Sequence, residues 1–497
     1  MLRSLTNPDL VNTACQEISA LLREFAEWLF VSDGVSQSLL RDEIEVVVTR
    51  DRLLLSCWTE KGTRLWRVVA WDWNGQLLEL ELLRRTRIQL IPRTSAKAIT
   101  ATIRAARQRR CERLAQLAAA SHFGSVVERL GLSRGTRPGQ PGRYAQVLLK
   151  TRRERIAVTG PVVSSAPSAV DAFLSSSLLW FRRTSQQLWL IVSPELLKPL
   201  LYRIALLRSG LKDIIRVFTV DDDLTLLTET SAPEKEDLWR KKLARFPPVA
   251  AATASELSLA IVAEAPEAID VVHSRHGETL RYFGLPFARV RSLLGREKVW
   301  LGINRSHRRL LDESTANDWH NLLHDLREHR SASALDHRHA FYRAAPEAWL
   351  ESLLRRDITR LDPGLIIAPL HAQFRTARGA KLGIRPIDLL ALRQDGRLVV
   401  IELKVSEDRE HVLQGADYWR RVEAHRRRGH IARAKLFGAR TIRDEAPLVY
   451  LVAPTLRVHP AFLTLAYSIS PGIEIYRFDI NEDWRTGVRV MRRERVN

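Results

Sequence analysis

Cysteine is scarce in this chain. Cys15, Cys57 and Cys111 are the only three in 497 residues, far apart and odd in number. None forms a CxxC pair, which argues against a thiolate metal motif or redox pair and fits buried thiols in a reducing cytoplasm. Long apolar runs are missing too: none approaches the ~18–20 residues needed to cross a bilayer. The opening MLRSLTNPDLVNTACQEIS has no apolar signal-peptide core, so a cytoplasmic protein without a membrane partner is expected. No glycine-rich GxxxxGK[ST] loop occurs, which argues against ATP-driven translocation within the chain.

Acids are short relative to bases. Lys and Arg total 78 against 57 Asp and Glu, a formal charge of +21. With 45% hydrophobic and 27% charged residues the chain reads as globular and long enough for two to four domains. A field of that sign favours a polyanion, and nucleic acid is the expected partner.

Taken in order, residues 1–36 read as helical, with Ile18, Leu21, Leu22, Phe25 and Leu29 in three- and four-residue steps. From Glu43 the pattern changes to antiparallel strands, with a hairpin turn at Asn74-Gly75. Trp58, Trp66, Trp71 and Trp73 lie in these strands and read as core or sheet aromatics more readily than as a base-stacking platform. Ala96 to Ala120 is a basic helix, and Gly135 to Gly142 a loop. The expected division is 1–95, a helix with an antiparallel β domain; 96–227, an α/β domain; 228–256, a linker rich in Ala, Pro, Glu and Lys; 257–335, a small β/helical domain; and 336–497, a second α/β domain.

The two α/β stretches resemble each other. YAQVLLKTRRERIAVTGPV can be laid on IDLLALRQDGRLVVIELKV, and LWLIVSP on LVYLVAP, with a closing strand DIIRVFTV against IEIYRFDI. Two copies of one unit are the expectation. The first would carry Gln146, Gly160 and Val162 where the second has Asp388, Glu402 and Lys404, and would be inactive.

Those three charged residues carry the chemistry. Apolar runs Ile387–Leu392 and Leu398–Leu403 flank Asp395-Gly396, a strong hairpin signal. Strand alternation puts Glu402 and Lys404 on one face. An acid-x-base triplet alone means little, since a chain of this composition holds about nine by chance. Here, however, Asp388 begins one strand and Glu402 ends the next, so the turn brings two carboxylates together. Such a pair, with the Leu403 carbonyl as a third ligand, suits Mg²⁺ or Mn²⁺. Lys404 can then orient an attacking water or neutralise a developing negative charge. By contrast, His320 and His324 have helical zinc spacing, but Asn321 stands where a metalloprotease has glutamate.

Pro386-Ile387-Asp388 and Glu402-Leu403-Lys404 resemble the two signature motifs of the PD-(D/E)xK nuclease superfamily. Gln414 and Tyr418 match the QxxxY motif of its RecB-type subgroup, and the wording is most similar to NucS-type endonucleases. The resemblance covers about 345–425. It implies a restriction-endonuclease-like α/β domain with a mixed central sheet, in a multidomain α/β chain. It also implies catalytic roles for Asp388, Glu402, Lys404, Gln414 and Tyr418, and an upstream helical acid, Glu351, with Glu347 as runner-up. The run from Arg420 to Arg443 holds nine bases against one acid, Glu423. Arg420, Arg421, Arg426, Arg427, Arg428, Arg433 and Lys435 are therefore expected to form a phosphate-binding track. The function expected is a Mg²⁺- or Mn²⁺-dependent endonuclease acting on single-stranded, branched or mismatched DNA in repair or recombination. A non-catalytic nucleic-acid scaffold and an RNA nuclease stay open as alternatives, as does a homodimer.

Overall fold

The computed structural model describes residues 2–32, 35–59, 62–83, 86–93, 96–135, 141–163, 166–181, 185–221, 224–231, 235–239, 253–274, 277–293, 296–303, 308–376 and 385–497. It is a mixed α/β chain that divides into two compact units, Met1–Leu200 with Asp213–Ala232, and Leu201–Lys212 with Pro233–Asn497.

The first unit opens with β1 (Arg3–Ser4) and α1 (Pro8–Glu24). Asn7 caps α1 by accepting the Leu10 N–H, and Pro8 sits in the first turn. The expected continuation of helix to residue 36 is corrected. Phe25 is already extended, and the β-prone run EWLFVS forms β2 (Glu27–Ser32), with Trp28 and Phe30 both buried in the core. Then come β3 (Val35–Leu40), β4 (Ile44–Thr49), β5 (Arg52–Thr59), β6 (Gly62–Trp73), β7 (Leu78–Leu82) and β8 (Arg87–Pro92). All join one antiparallel sheet. Trp71 is buried in its core, with Trp66 and Trp73 packed against it.

A second sheet follows α2 (Ala96–Ala120). Its elements are β9 (Val126–Arg134), β10 (Pro141–Lys150), β11 (Arg155–Pro161), α3 (Val170–Phe181), β12 (Gln187–Val192), α4 (Pro194–Ile204), α5 (Ser209–Lys212), β13 (Ile215–Val220) and β14 (Leu227–Thr230). The stretch 228–256 is thus not all linker: β14 pairs with β13, and Trp239 lies against Trp419 of the C-terminal domain at 6.1 Å between ring centroids. Residues 240–252 lie outside the described residues, as do 136–140 of the expected loop.

The second unit contains α6 (Glu256–Ala263), a five-stranded antiparallel sheet of β15 (Ile269–Ser274), β16 (Gly277–Tyr282), β17 (Leu285–Leu293), β18 (Arg296–Leu301) and β19 (Arg309–Leu310), and then α7 (Ala316–His329). After α8 (Ala340–Arg343) and α9 (Pro346–Arg356) come β20 (His371–Phe374), β21 (Ile387–Leu392), β22 (Leu398–Leu403), α10 (His411–Arg426), α11 (His430–Arg433), β23 (Leu448–Pro454), α12 (Phe462–Ala466), β24 (Ile475–Ile480) and β25 (Val490–Arg495). Arg330 fastens the five-stranded sheet to α8. Fully buried, it donates to the carbonyls of Tyr282 at 2.9 Å and of Phe283, Phe341 and Ala344 at 2.7 Å each. Four acceptors offset the cost of burying its charge.

The two six-stranded sheets have the same construction. Both run in sequence order, and successive pairs are antiparallel, antiparallel, parallel, parallel and antiparallel. The register corrects the expected correspondence by one residue. Gln146 faces Thr159 across the first hairpin. Leu389 faces Ile401 in the second, which sets Asp388 opposite Glu402. Ile156 and Val158 pack with Leu114 of the helix before the first sheet, as Ile401 and Leu403 pack with Trp349 and Leu350 of the helix before the second, so Thr159 and Glu402 share the other face. Thr159 and Pro161, not Gly160 and Val162, therefore stand where Glu402 and Lys404 do. A hairpin one residue shorter accounts for the slip, which exchanges the two faces of the strand. Gly160 faces α2 instead, where a Cβ would come within 2.7 Å of Leu114 Cδ1. Thr159 Oγ1 is satisfied by Ser177 Oγ at 2.8 Å.

One glycine sets how closely the five-stranded sheet approaches α9. Gly284, at φ +77°, turns β16 into β17, and a Cβ there would lie 2.0 Å from the Ala348 carbonyl oxygen. Gly284→Ala should lower the stability of this unit by ~1–3 kcal/mol in a denaturant melt. Gly210→Ala, with nothing within 4 Å, should be neutral or slightly stabilising.

Candidate functional site

The site grows from the β21–β22 hairpin. Gly396, at φ +84°, makes the turn, and both strands are buried along nearly their whole length. At the open end the backbone ladder gives way to a side chain: Asp388 Oδ2 accepts the Leu403 N–H at 2.9 Å. The N–H and C=O of one strand residue point the same way, so the Leu403 carbonyl also faces β21. Lys404 points its own N–H the other way, to the Val452 carbonyl at 2.9 Å.

Glu402 and Lys404 share a face and form an ion pair, Nζ to Oε1, at 2.5 Å. Glu402 is fully buried, and its Oε2 has no hydrogen-bond partner. Burial first, and then the neighbouring Asp388, push its carboxyl well above the usual range against the pull of Lys404. Burial works against the Lys404 ammonium, but Glu402, Glu347 and Asp388 outweigh it and hold its pKa above the ordinary value. Lys404 therefore stays a cation, and its ammonium serves Oε1 of Glu402 but not Oε2.

From α9, Glu351 and Glu347 approach the same end. Glu351 is 2% exposed and receives Gln373 Nε2 at 2.6 Å and Arg281 Nη1 at 3.3 Å. The same Gln373 amide lies 3.4 Å from Asp388 Oδ1, so it ties the two carboxylates to one donor. Burial raises the pKa of both Glu351 and Glu347. Gln373 and Arg281 oppose the rise at Glu351, and Lys404 opposes it at Glu347, where Asp388 adds to it. Gln373 and Arg281 were not foreseen from sequence, because nothing local links them to the motifs. Arg281 lies 70 residues before Glu351.

The face of α10 supplies a third side. Gln414 Nε2 donates to the Tyr418 hydroxyl at 2.7 Å, and both residues are buried. Tyr418 also packs into the hydrophobic core with Val400 and Val422. Their i, i+4 spacing is thus realised as a contact with each other, while the amide oxygen of Gln414 has no hydrogen-bond partner. His411, also unforeseen, approaches the Glu402 carbonyl with Nε2 at 3.2 Å, and burial lowers its pKa to about 3.

The arginine track is corrected in its first half. Asp417 gathers Arg203 at 3.1 Å, Arg420 at 2.6 Å and Arg421 at 3.3 Å. Glu423, fully buried, holds Arg426 and Arg427 at 2.6 Å each. Arg428 bonds the Ala424 carbonyl at 2.8 Å and also the Trp239 carbonyl. Arg420, Arg421, Arg426 and Arg427 neutralise buried acids one helical turn away, a spacing of three or four that the sequence displays. Arg433 and Lys435 are exposed, and Arg427 is partly so.

The Asp388 end of the hairpin opens into a cleft of about 1080 Å³ whose wall includes Glu347, Glu351, Gln373 and Asp388. Among the described residues no group of three or more His, Cys, Asp or Glu side chains is placed to hold a metal ion. The donors available to a hard cation are the two carboxylates of Asp388 and Glu402 and the Leu403 carbonyl, a set short in protein ligands and open to water and phosphate. They fit such an ion in one respect that the geometry makes specific: the buried Glu402 carboxyl meets Asp388, and its Oε2 receives no N–H or cation. No known family, curated protein or solved structure compared with the chain matches it.

A pH dependence follows from α10. Burial lowers the pKa of His425 to about 4, while its Nε2 lies 3.0 Å from the Thr376 carbonyl. The unfolded chain binds this proton near the ordinary value of 6.5, so stability is lost as pH falls from about 6.5 towards 4. His425 should contribute a loss of up to ~3 kcal/mol over that window in denaturant titrations, and His425→Gln should reduce the slope while leaving the part due to His411.

Proposed function

We propose that the C-terminal domain is a Mg²⁺- or Mn²⁺-dependent nuclease that hydrolyses phosphodiester bonds in DNA. The observation that carries this reading is the fully buried Glu402, whose Oε2 lacks a partner beside a second carboxylate, Asp388. A core that holds two such acids together must keep one protonated, the direction in which Glu402 is pushed, or bring in a further cation. The ion would be held by Asp388, Glu402 and the Leu403 carbonyl. When bound it supplies Lewis acidity towards a phosphate oxygen and lowers the pKa of a coordinated water.

The chain's own residues do the rest. Asp388 is oriented by the Leu403 N–H and by Gln373. Lys404, kept cationic by its acidic neighbours, can swing from Glu402 to neutralise charge developing on the phosphate or to orient the attacking water. Glu351 is braced by Gln373 and Arg281 and serves as a positioning acid for Asp388. Gln414 offers its free amide oxygen on the α10 side. The first α/β copy has Gln146, Thr159 and Pro161 at the corresponding strand positions and carries no such chemistry.

Asp388→Asn, Glu402→Gln and Lys404→Met should each reduce cleavage of single-stranded or branched DNA by about 10²-fold or more, with DNA binding retained. Glu351→Gln should lose about 10–100-fold, and a chelator should abolish cutting. Cleavage that survives each of the first three changes would rule the mechanism out. Salt-sensitive binding without cleavage under any divalent ion would favour the scaffold reading.

A further inference from the structure

Once most arginines of α10 are accounted for by buried acids, other cations must serve the cleft above the site. Three of them line it: Arg343, Arg457 and Arg485. Arg343 ends α8, is exposed, and makes no ion pair among the described residues. Arg457 is 59% exposed, and its acidic neighbour Glu482 lies at 4.0 Å, the limit of a salt bridge. Arg485 rests on an aromatic shelf, 4.3 Å from the Trp484 ring centroid, 4.5 Å from Tyr342 and 4.9 Å from Trp349. Stacking fixes the plane of a guanidinium while leaving its charge in place. A fourth arginine, Arg281, is committed to Glu351.

We propose that this cleft is the path of a single-stranded nucleic-acid segment, with Arg343, Arg457 and Arg485 as its phosphate-binding groups. The inference rests on the nuclease reading of the site below and names the form of its substrate. Two facts select the form. Asp388, in the cleft wall, is only partly exposed, and Glu402 opposite it is fully buried, so the metal-binding acids lie at the foot of a recess that one backbone can bend into more readily than a paired helix. The wall facing α9 is a folded sheet, with Thr279, Gly284 and Pro286 of the β16–β17 hairpin lining the cleft. The arginines also solve an electrostatic problem, because Glu347, Glu351, Asp388 and Glu402 would otherwise repel a polyanion. The aromatics beneath Arg485 are engaged in packing, Trp484 being 3% exposed, so phosphates rather than bases are gripped and sequence preference is weak.

The test measures binding alone. Full-length Asp388→Asn protein, in chelator, is titrated by fluorescence anisotropy against an oligothymidylate and against a blunt duplex of the same length, across a salt series. The expected result is tighter binding of the single strand. Arg343→Ala, Arg457→Ala and Arg485→Ala in that background should each weaken binding several-fold and reduce the slope of log K against log salt by about 0.7. Arg485→Lys, which keeps the charge and spares the fold, should keep most of the slope. Arg296→Ala, exposed at the start of β18 and outside the cleft wall, should change neither quantity. Unchanged slopes in the three cleft variants, an equal loss in Arg296→Ala, or equal affinity for the duplex would overturn the inference and leave the nuclease reading standing. Failure to bind either oligonucleotide at low salt would overturn both.

Discussion

A carboxyl group with no contact to water needs a hydrogen-bond partner for each oxygen, and at Glu402 a cation serves only one of them. Lys404 occupies Oε1, Oε2 receives no N–H or cation, and burial together with the adjoining Asp388 holds the Glu402 carboxyl well above its ordinary range. Much of the C-terminal domain can be understood as support for that imbalance. The hairpin buries its apolar residues on both faces so that its open end is rigid. Asp388 replaces a ladder carbonyl as acceptor for the Leu403 N–H, and Gln373 ties it to Glu351. A helix on each side closes the site, α9 with its two acids and α10 with Gln414 and His411.

Support extends beyond the domain that carries the motifs. Arg330 holds the end of α8, and Gly284 lets the β16–β17 turn sit against the α9 backbone. Arg281 then reaches Glu351 from β16. The small β domain is therefore a wall of the site rather than a spacer before it. The first α/β copy shows the same topology without the charge problem: Thr159 finds a hydroxyl partner, and Leu114 fills the space against Gly160.

The parts of this arrangement governed by local patterns were legible in the sequence. Alternation and the Asp395-Gly396 turn placed Asp388, Glu402 and Lys404 at one end of a hairpin, and the repeated strand order was visible as a likeness between two stretches. What failed did so for stated physical reasons. The strand at Glu27–Ser32 looked helical because Leu29 extended the spacing of α1, although EWLFVS favours a sheet. The copies were aligned one residue out because their hairpins differ in length. The arginines were read as a track because the run from Arg420 was weighed by net charge, with Glu423 as its one acid and Asp417, just upstream, outside the count, rather than by partners three and four residues apart. Gln373, Arg281 and His411 were out of reach, since only the folded chain brings them to the motifs.

Anomalous diffraction from crystals soaked in Mn²⁺ tests the Glu402 site most directly. One peak is expected between Asp388 and Glu402, within bonding distance of Glu402 Oε2, and none at Gln146 and Thr159. Crystals at saturating Mn²⁺ that keep the Lys404–Glu402 pair and show no density at Oε2 would contradict it.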